Sequence, residues 1–92
     1  MKYSLSVTTR FKKDLKKMIK QGQNLSLINE VVDSLLLGDV LMDKYKDHAL
    51  SGRWIGYREC HILPDWLLIY RIEEDILILT LTRTGSHSEL FD

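Results

Sequence analysis

Apolar residues change their period part-way along this chain, and the change separates a helical first half from a stranded second half. Tyr3, Leu5 and Val7 alternate with Lys2, Ser4 and Ser6, as in a half-buried strand. Phe11, Leu15, Met18 and Ile19 then recur at i, i+4, i+7 and i+8, the spacing of one helix face. Thr8 or Thr9 can cap that helix, and Gly22 can close it in a left-handed turn. A second helix starts near Asn24 or Ser26, sets Ile28, Val31, Val32, Leu35 and Leu36 on one stripe, and ends at Gly38. Together the two predict a helical hairpin with one apolar side.

From Tyr57 onward the period is two, mixed with continuous apolar runs. Residues 57–62, 66–72 and 76–82 read as strands, broken at Leu63-Pro64-Asp65 and Glu73-Glu74-Asp75. Breaks this short make the neighbours antiparallel. Residues 66–70 and 76–79 are apolar on both faces, which suits central strands with the helix pair on one side. Gly85 ends the last strand, and Ser86 to Phe91 has room for one short helical turn. The predicted fold class is α+β, one domain over residues 1–92. Its order is β-α-α-β-β-β, with a mainly antiparallel twisted sheet, the helix pair on one face and the short turn at the end.

Composition narrows what such a domain can do. The 92 residues are 45% hydrophobic and 28% charged, and no apolar run approaches the roughly 20 residues of a membrane helix. The start, Met1-Lys2-Tyr3-Ser4-Leu5, has no signal-peptide core. The single cysteine, Cys60, cannot form an internal disulfide and points to a reducing compartment, so the expected address is cytoplasmic. Net charge is zero, yet residues 1–22 carry seven Lys/Arg against one acid, Asp14. Such segregation allows a basic face for a polyanion, although a solvated helix surface is an equally common use of a lysine run.

Between the helices and the later strands, Lys44-Tyr45-Lys46-Asp47-His48 and Ser51-Gly52-Arg53-Trp54 mix cations, aromatics and a histidine in an expected loop. Interleaved charge and rings suit single-stranded nucleic acid, because cations follow phosphates and rings stack on bases. The duller alternative tucks Tyr45 and Trp54 into the core. All three histidines, His48, His61 and His87, lie in this second half, and imidazole both takes and gives protons near neutral pH. His61 and Asp65 flank one strand break, His87 follows the last strand, and His48 sits in the loop, so the four have a route to one sheet edge. Metal binding is not expected: adjacent Cys60 and His61 point to opposite strand faces, and the chain has no CxxC or HxxxH pair. No cofactor is expected either.

Several separated motifs recur together here: Tyr45-Lys46-Asp47-His48-Ala49-Leu50-Ser51-Gly52, then Trp54, Gly56-Tyr57-Arg58 and His61. Pro64-Asp65-Trp66 with Ile69-Tyr70 follows, and then Arg83-Thr84-Gly85-Ser86-His87 with Leu90-Phe91. In this order they resemble the YafQ subgroup of the RelE-like toxins, the toxin halves of bacterial type II toxin-antitoxin pairs. The likeness is specific from Tyr45 to Phe91 and covers the first half only as a layout. Ala49 departs from it, since such toxins often carry proline after the histidine.

The resemblance implies a ribosome-dependent mRNA endoribonuclease, with His48, His61, Asp65, Trp66, His87 and Phe91 at the family's functional positions. Metal-free RNA cleavage needs a base for the 2′-hydroxyl proton, donors to hold the phosphate charge and an acid for the leaving 5′-oxygen. His87 is the expected acid and His48 or Asp65 the base, with His61 orienting the phosphate or sharing the proton work. Lys46, Arg58, Trp66 and Arg83 are the expected RNA contacts. The duller readings are a turn role for Asp65, a core role for Trp66, a packing role for Phe91 and surface ion pairs for the arginines.

A RelB/DinJ-like antitoxin is the implied partner, in a heterotetramer or larger complex that represses its own operon, with the ribosome and mRNA as the other partners and no membrane. The basic face of the first helix would serve that antitoxin or ribosomal RNA. The runner-up is a non-catalytic toxin on the same scaffold that inhibits DNA gyrase, and a third reading is a catalytically dead binding module. Neither requires the full set of proton-transfer groups.

Overall fold

The computed structural model describes residues 1–92. Its elements are β1 (Ser4–Val7), α1 (Thr9–Lys20), α2 (Leu25–Leu37), β2 (His48–Ala49), β3 (Arg58–Leu63), β4 (Trp66–Glu73), β5 (Ile78–Gly85) and α3 (His87–Phe91). The helix boundaries follow from local chemistry. The Thr8 hydroxyl accepts the Phe11 N–H at the start of α1, and the Asn24 side chain accepts the Ser26 N–H at the start of α2. Gly38 closes α2 in the left-handed conformation its missing Cβ permits. At the C-terminus Ser86 and Glu89 satisfy each other's backbone donors in a capping box, which lets a five-residue helix form.

The strands form one five-stranded sheet in the order β1-β5-β4-β3-β2. β2 pairs antiparallel with β3, β3 with β4 and β4 with β5, while β1 lies parallel to β5. The sheet is thus mainly antiparallel, with one parallel pair at an edge. The sequence predicts loop where β2 forms. Its two residues form a strand because His48 and Ala49 lie opposite Glu59 and Arg58, a long-range pairing with no local signal.

Three further expectations change. The last strand begins at Ile78 instead of residue 76, since Glu74 to Leu77 form the turn and Leu77 takes φ 54° there. The Leu77 carbonyl receives the Ser4 N–H, which marks where β1 joins β5. Ile19 is exposed instead of lining the α1 stripe, and Leu5 is exposed on an edge strand. The α2 stripe is as expected, with Ile28, Val31, Val32, Leu35 and Leu36 all buried.

Alternation along the strands gives the sheet two unlike faces. Both helices pack on one, where Phe11, Met18 and the α2 stripe meet Cys60, Ile62, Trp66, Leu68, Tyr70, Leu79 and Leu81. On the other, a small cluster of Leu67, Ile69 and Leu90 is flanked by Leu50, Trp54, Tyr57 and Phe91. No helix is long and apolar enough to cross a membrane.

Candidate active site

Glu59 and His61 alternate with buried Cys60 and so project from the face that the helix pair leaves open. His48 lies directly opposite Glu59 in the β2–β3 pairing, which brings its side chain to the same face. The result is a line of three groups. Glu59 Oε1 stands 3.3 Å from His61 Nε2 and 3.8 Å from His48 Nε2. The carboxylate is buried, His61 is a quarter exposed and His48 half exposed, so charge support sits inside and the imidazoles reach outward.

The second nitrogen of each ring is also engaged. His48 Nδ1 lies 2.8 Å from the Lys46 carbonyl, which can only accept, so that nitrogen carries the proton and leaves Nε2 with the free lone pair. His61 Nδ1 meets the Pro64 carbonyl at 3.3 Å. Both of its ring nitrogens thus face oxygens that only accept.

Asp65 follows Pro64 in the β3–β4 turn, and its Oδ1 receives the His87 backbone N–H at 3.2 Å. That bond docks the start of α3 against the turn. The exposed His87 ring lies 5.1 Å from the half-buried Phe91 ring, one helical turn on. Pairing of His61 with Leu67 and of Leu67 with Gly85 separates His61 from the strand end before His87 by two strand spacings, roughly 10 Å. His48, His61, Asp65, His87 and Phe91 therefore share one end of the open face, as two subclusters joined by the turn at Pro64 and Asp65.

The four expected RNA contacts divide. Lys46 is exposed and sits in left-handed backbone at φ 50° just before the His48 strand. Arg58 pairs with Tyr70 in the sheet and so lies on the helix-covered side, where Asp47 takes its Nε and Nη2, the latter at 2.9 Å. The Tyr70 hydroxyl donates to the other Asp47 oxygen, and this clamp anchors the residue before His48. Arg83 is held by Asp14 of α1 at 2.7 Å, and the same carboxylate accepts the Thr84 N–H that β1, ending at Val7, no longer covers. Trp66 is 1% exposed, with Nε1 donating to Thr84 Oγ1, so it braces the turn from behind instead of offering a ring to RNA.

Glu59 joins the candidate site although it is absent from the expected set. Its signal was available in the period-two spacing with His61, but locating His48 opposite it required the β2 pairing. Burial pushes the Cys60 thiol up to about 12, which removes it as a nucleophile near neutral pH. No group of three or more His, Cys, Asp or Glu side chains is arranged to hold a metal ion.

Residues 3–92 match the family described as "Bacterial toxin of type II toxin-antitoxin system, YafQ". The chain belongs to the YafQ toxin family. It is 36% identical over 83 residues to the mRNA interferase toxin YafQ of Escherichia coli K12, covering 89% of this chain and 88% of that one. Among solved structures, the E. coli DinJ-YafQ complex matches with TM-score 0.90 and 33% identity over 98% of this chain and 99% of that chain. A metal-bound toxin from Helicobacter pylori matches with TM-score 0.91 and 45% identity over 97% and 99%. The family's fold is thus the one seen here, a small mixed sheet with three helices.

Proposed function

We propose that this YafQ-family chain is an mRNA endoribonuclease, the toxin of a type II pair, which cuts translated messages in the cytoplasm on the ribosome and needs no metal ion. The observation that carries the reading is the buried Glu59 carboxylate between two imidazoles on the open sheet face, with His87 across the strand end. Proton-transfer groups are thereby available on both sides of a bound phosphodiester.

In this reading His48 Nε2 takes the proton of the 2′-hydroxyl, whose oxygen attacks the adjacent phosphorus. Glu59, 3.8 Å from that same nitrogen, stabilises the imidazolium as it forms, while the Lys46 carbonyl holds the opposite ring nitrogen. Asp65 is less suited to be the base because one of its oxygens already holds the His87 N–H. His61 exchanges its 3.3 Å contact with the Pro64 carbonyl for a phosphate oxygen, and Lys46 adds charge from the adjoining loop. His87 protonates the departing 5′-oxygen, so the P–O5′ bond breaks and leaves a 2′,3′-cyclic phosphate and a 5′-hydroxyl. Phe91 backs the His87 ring and is positioned to stack on a base, while Arg58, Trp66 and Arg83 act through Asp47, Thr84 and Asp14 to position the site.

The partner expected for such a toxin is a DinJ-like antitoxin, the kind of complex named for the E. coli relative. The lysine-rich exposed side of α1 is suited to an acidic antitoxin segment or to ribosomal RNA. Purified protein, stripped of metal with EDTA and then desalted, is mixed with a defined mRNA in magnesium buffer, with and without programmed ribosomes, to test the proposal. Cleavage that requires ribosomes and persists after the protein is stripped is expected. Loss of cleavage on stripping, restored by an added transition metal, would contradict the metal-free mechanism, and intact mRNA together with inhibited gyrase supercoiling would contradict the ribonuclease reading.

A further inference from the structure

A cleft of about 450 Å³ opens beside the candidate active site, between α2, the short turn at Asp43–Tyr45 and the β3–β4 turn. Leu27, Tyr45, Leu63 and Pro64 supply its apolar lining. Glu30, Lys44 and Lys46 bring charge to it, and Lys44 Nζ stands 5.0 Å over the Tyr45 ring. His61 and Pro64 also line it, and the Pro64 carbonyl faces His61 Nδ1. The cleft therefore shares the β3–β4 turn with the candidate active site.

We infer that this cleft receives the nucleobase next to the scissile phosphate and that Glu30 reads it, favouring adenine or cytosine over uracil. The inference rests on the ribonuclease reading. The volume exceeds what one base needs and lies within the range of small-ligand sites. Tyr45 and the neighbouring aliphatic groups offer a surface for a base face, and the two lysines follow the backbone phosphates. A carboxylate only accepts hydrogen bonds, so when it meets the 6-position of a purine or the 4-position of a pyrimidine it pairs with the amino group of adenine or cytosine and repels the O4 carbonyl of uracil. A protein side chain would fit the apolar lining too, but the lysine pair and the shared His61 favour a strand that continues from the cleavage point.

The test follows NMR signals of Leu27, Tyr45 and Leu63 as labelled protein is titrated with 5′-AMP, 5′-CMP and 5′-UMP, then repeats this with Glu30→Gln. Mapping of cuts in messages that differ only at nucleotides flanking the cleavage point accompanies it. AMP and CMP are expected to act at concentrations on the order of tenfold lower than UMP. Glu30→Gln should bring the three together and level the cut-site preference while uracil-bearing messages are cut as before. Equal response to all three nucleotides would reduce the cleft to a phosphate contact and overturn the inference, as would no response at these residues. The expected titrations without any cleavage by wild type would support the nucleotide cleft and defeat the ribonuclease reading alone.

Discussion

Alternate residues of the same strands build two faces of one sheet that do opposite work. The helix-covered face gathers sixteen buried residues into the main core, whereas the apolar cluster of the open face has three, Leu67, Ile69 and Leu90. Cys60 and His61 are neighbours in sequence, yet one is wholly buried with its thiol pushed up to about 12 and the other reaches the surface between Glu59 and Pro64. The pleat allows a single-residue step to cross from packing to chemistry. In the proposed ribonuclease reading, the groups that touch RNA stand where packing is thin and take their precision from the rigid layer behind them.

The comparison breaks most sharply with one substitution on each face. Leu68→Ala removes a fully buried side chain from the main core and should lower stability by about 2–5 kcal/mol in urea unfolding, with cleavage retained where the protein stays folded. His87→Ala should do the reverse, changing stability by less than about 0.5 kcal/mol because the residue is exposed, while cleavage falls roughly 10²- to 10⁴-fold. If His87→Ala unfolds the protein or leaves cleavage intact, the division of labour between the faces is wrong.

Glu59→Gln sharpens the point, since it keeps the shape and removes the charge between the imidazoles. Turnover should fall on the order of tenfold with little change in KM, as loss of a charge-assisted contact implies. A change confined to KM would mean that Glu59 acts in binding instead. Next in size is an effect of acid on α3. Lys17 of α1, followed by the Ser86 N–H and hydroxyl, holds the Glu89 carboxyl at about 2, below its ordinary 4.5. The ionised form is therefore favoured by folding, so its contribution is full above about pH 4.5 and is lost as pH falls toward 2. Melting temperature measured across that window should drop more in wild type than in Glu89→Gln, and parallel curves would refute the coupling.

The smallest effect lies outside both faces. Leu77 holds φ 54° in the β4–β5 turn, a conformation that penalises an L side chain, and it remains exposed. Leu77→Gly should raise stability by about 1 kcal/mol in urea unfolding. A decrease would show that the leucine packs better than its exposure suggests.

What the sequence revealed of this molecule tracks how local the causes are. Both helix starts, the Gly38 end and the α2 stripe were legible because capping and 3.6-residue periodicity act within a few residues. Strand β2 was not, because two residues form a strand only when Glu59 and Arg58 arrive opposite them from later in the chain. The apolar run at Ile76 hid the turn, since hydrophobicity does not say where pairing begins. His48, His61, Asp65 and His87 were legible as residue types, and their meeting at one sheet end followed from strand order. Glu59 has the pattern of an ordinary strand charge until His48 is set beside it, and Arg58 and Arg83 suit RNA contacts or ion pairs equally in the sequence, a choice that Asp47 and Asp14 decide by holding them.

The chemistry of the cut ends on a ribosome-bound message, with a single 2′-deoxy nucleotide introduced immediately 5′ of the cut, tests the acid-base mechanism. Acid-base cleavage by these histidines predicts a 2′,3′-cyclic phosphate and a 5′-hydroxyl from the all-ribose message, and no cut at the deoxy position. Cleavage that persists at the deoxy position, or that leaves a 3′-hydroxyl and a 5′-phosphate, would contradict it.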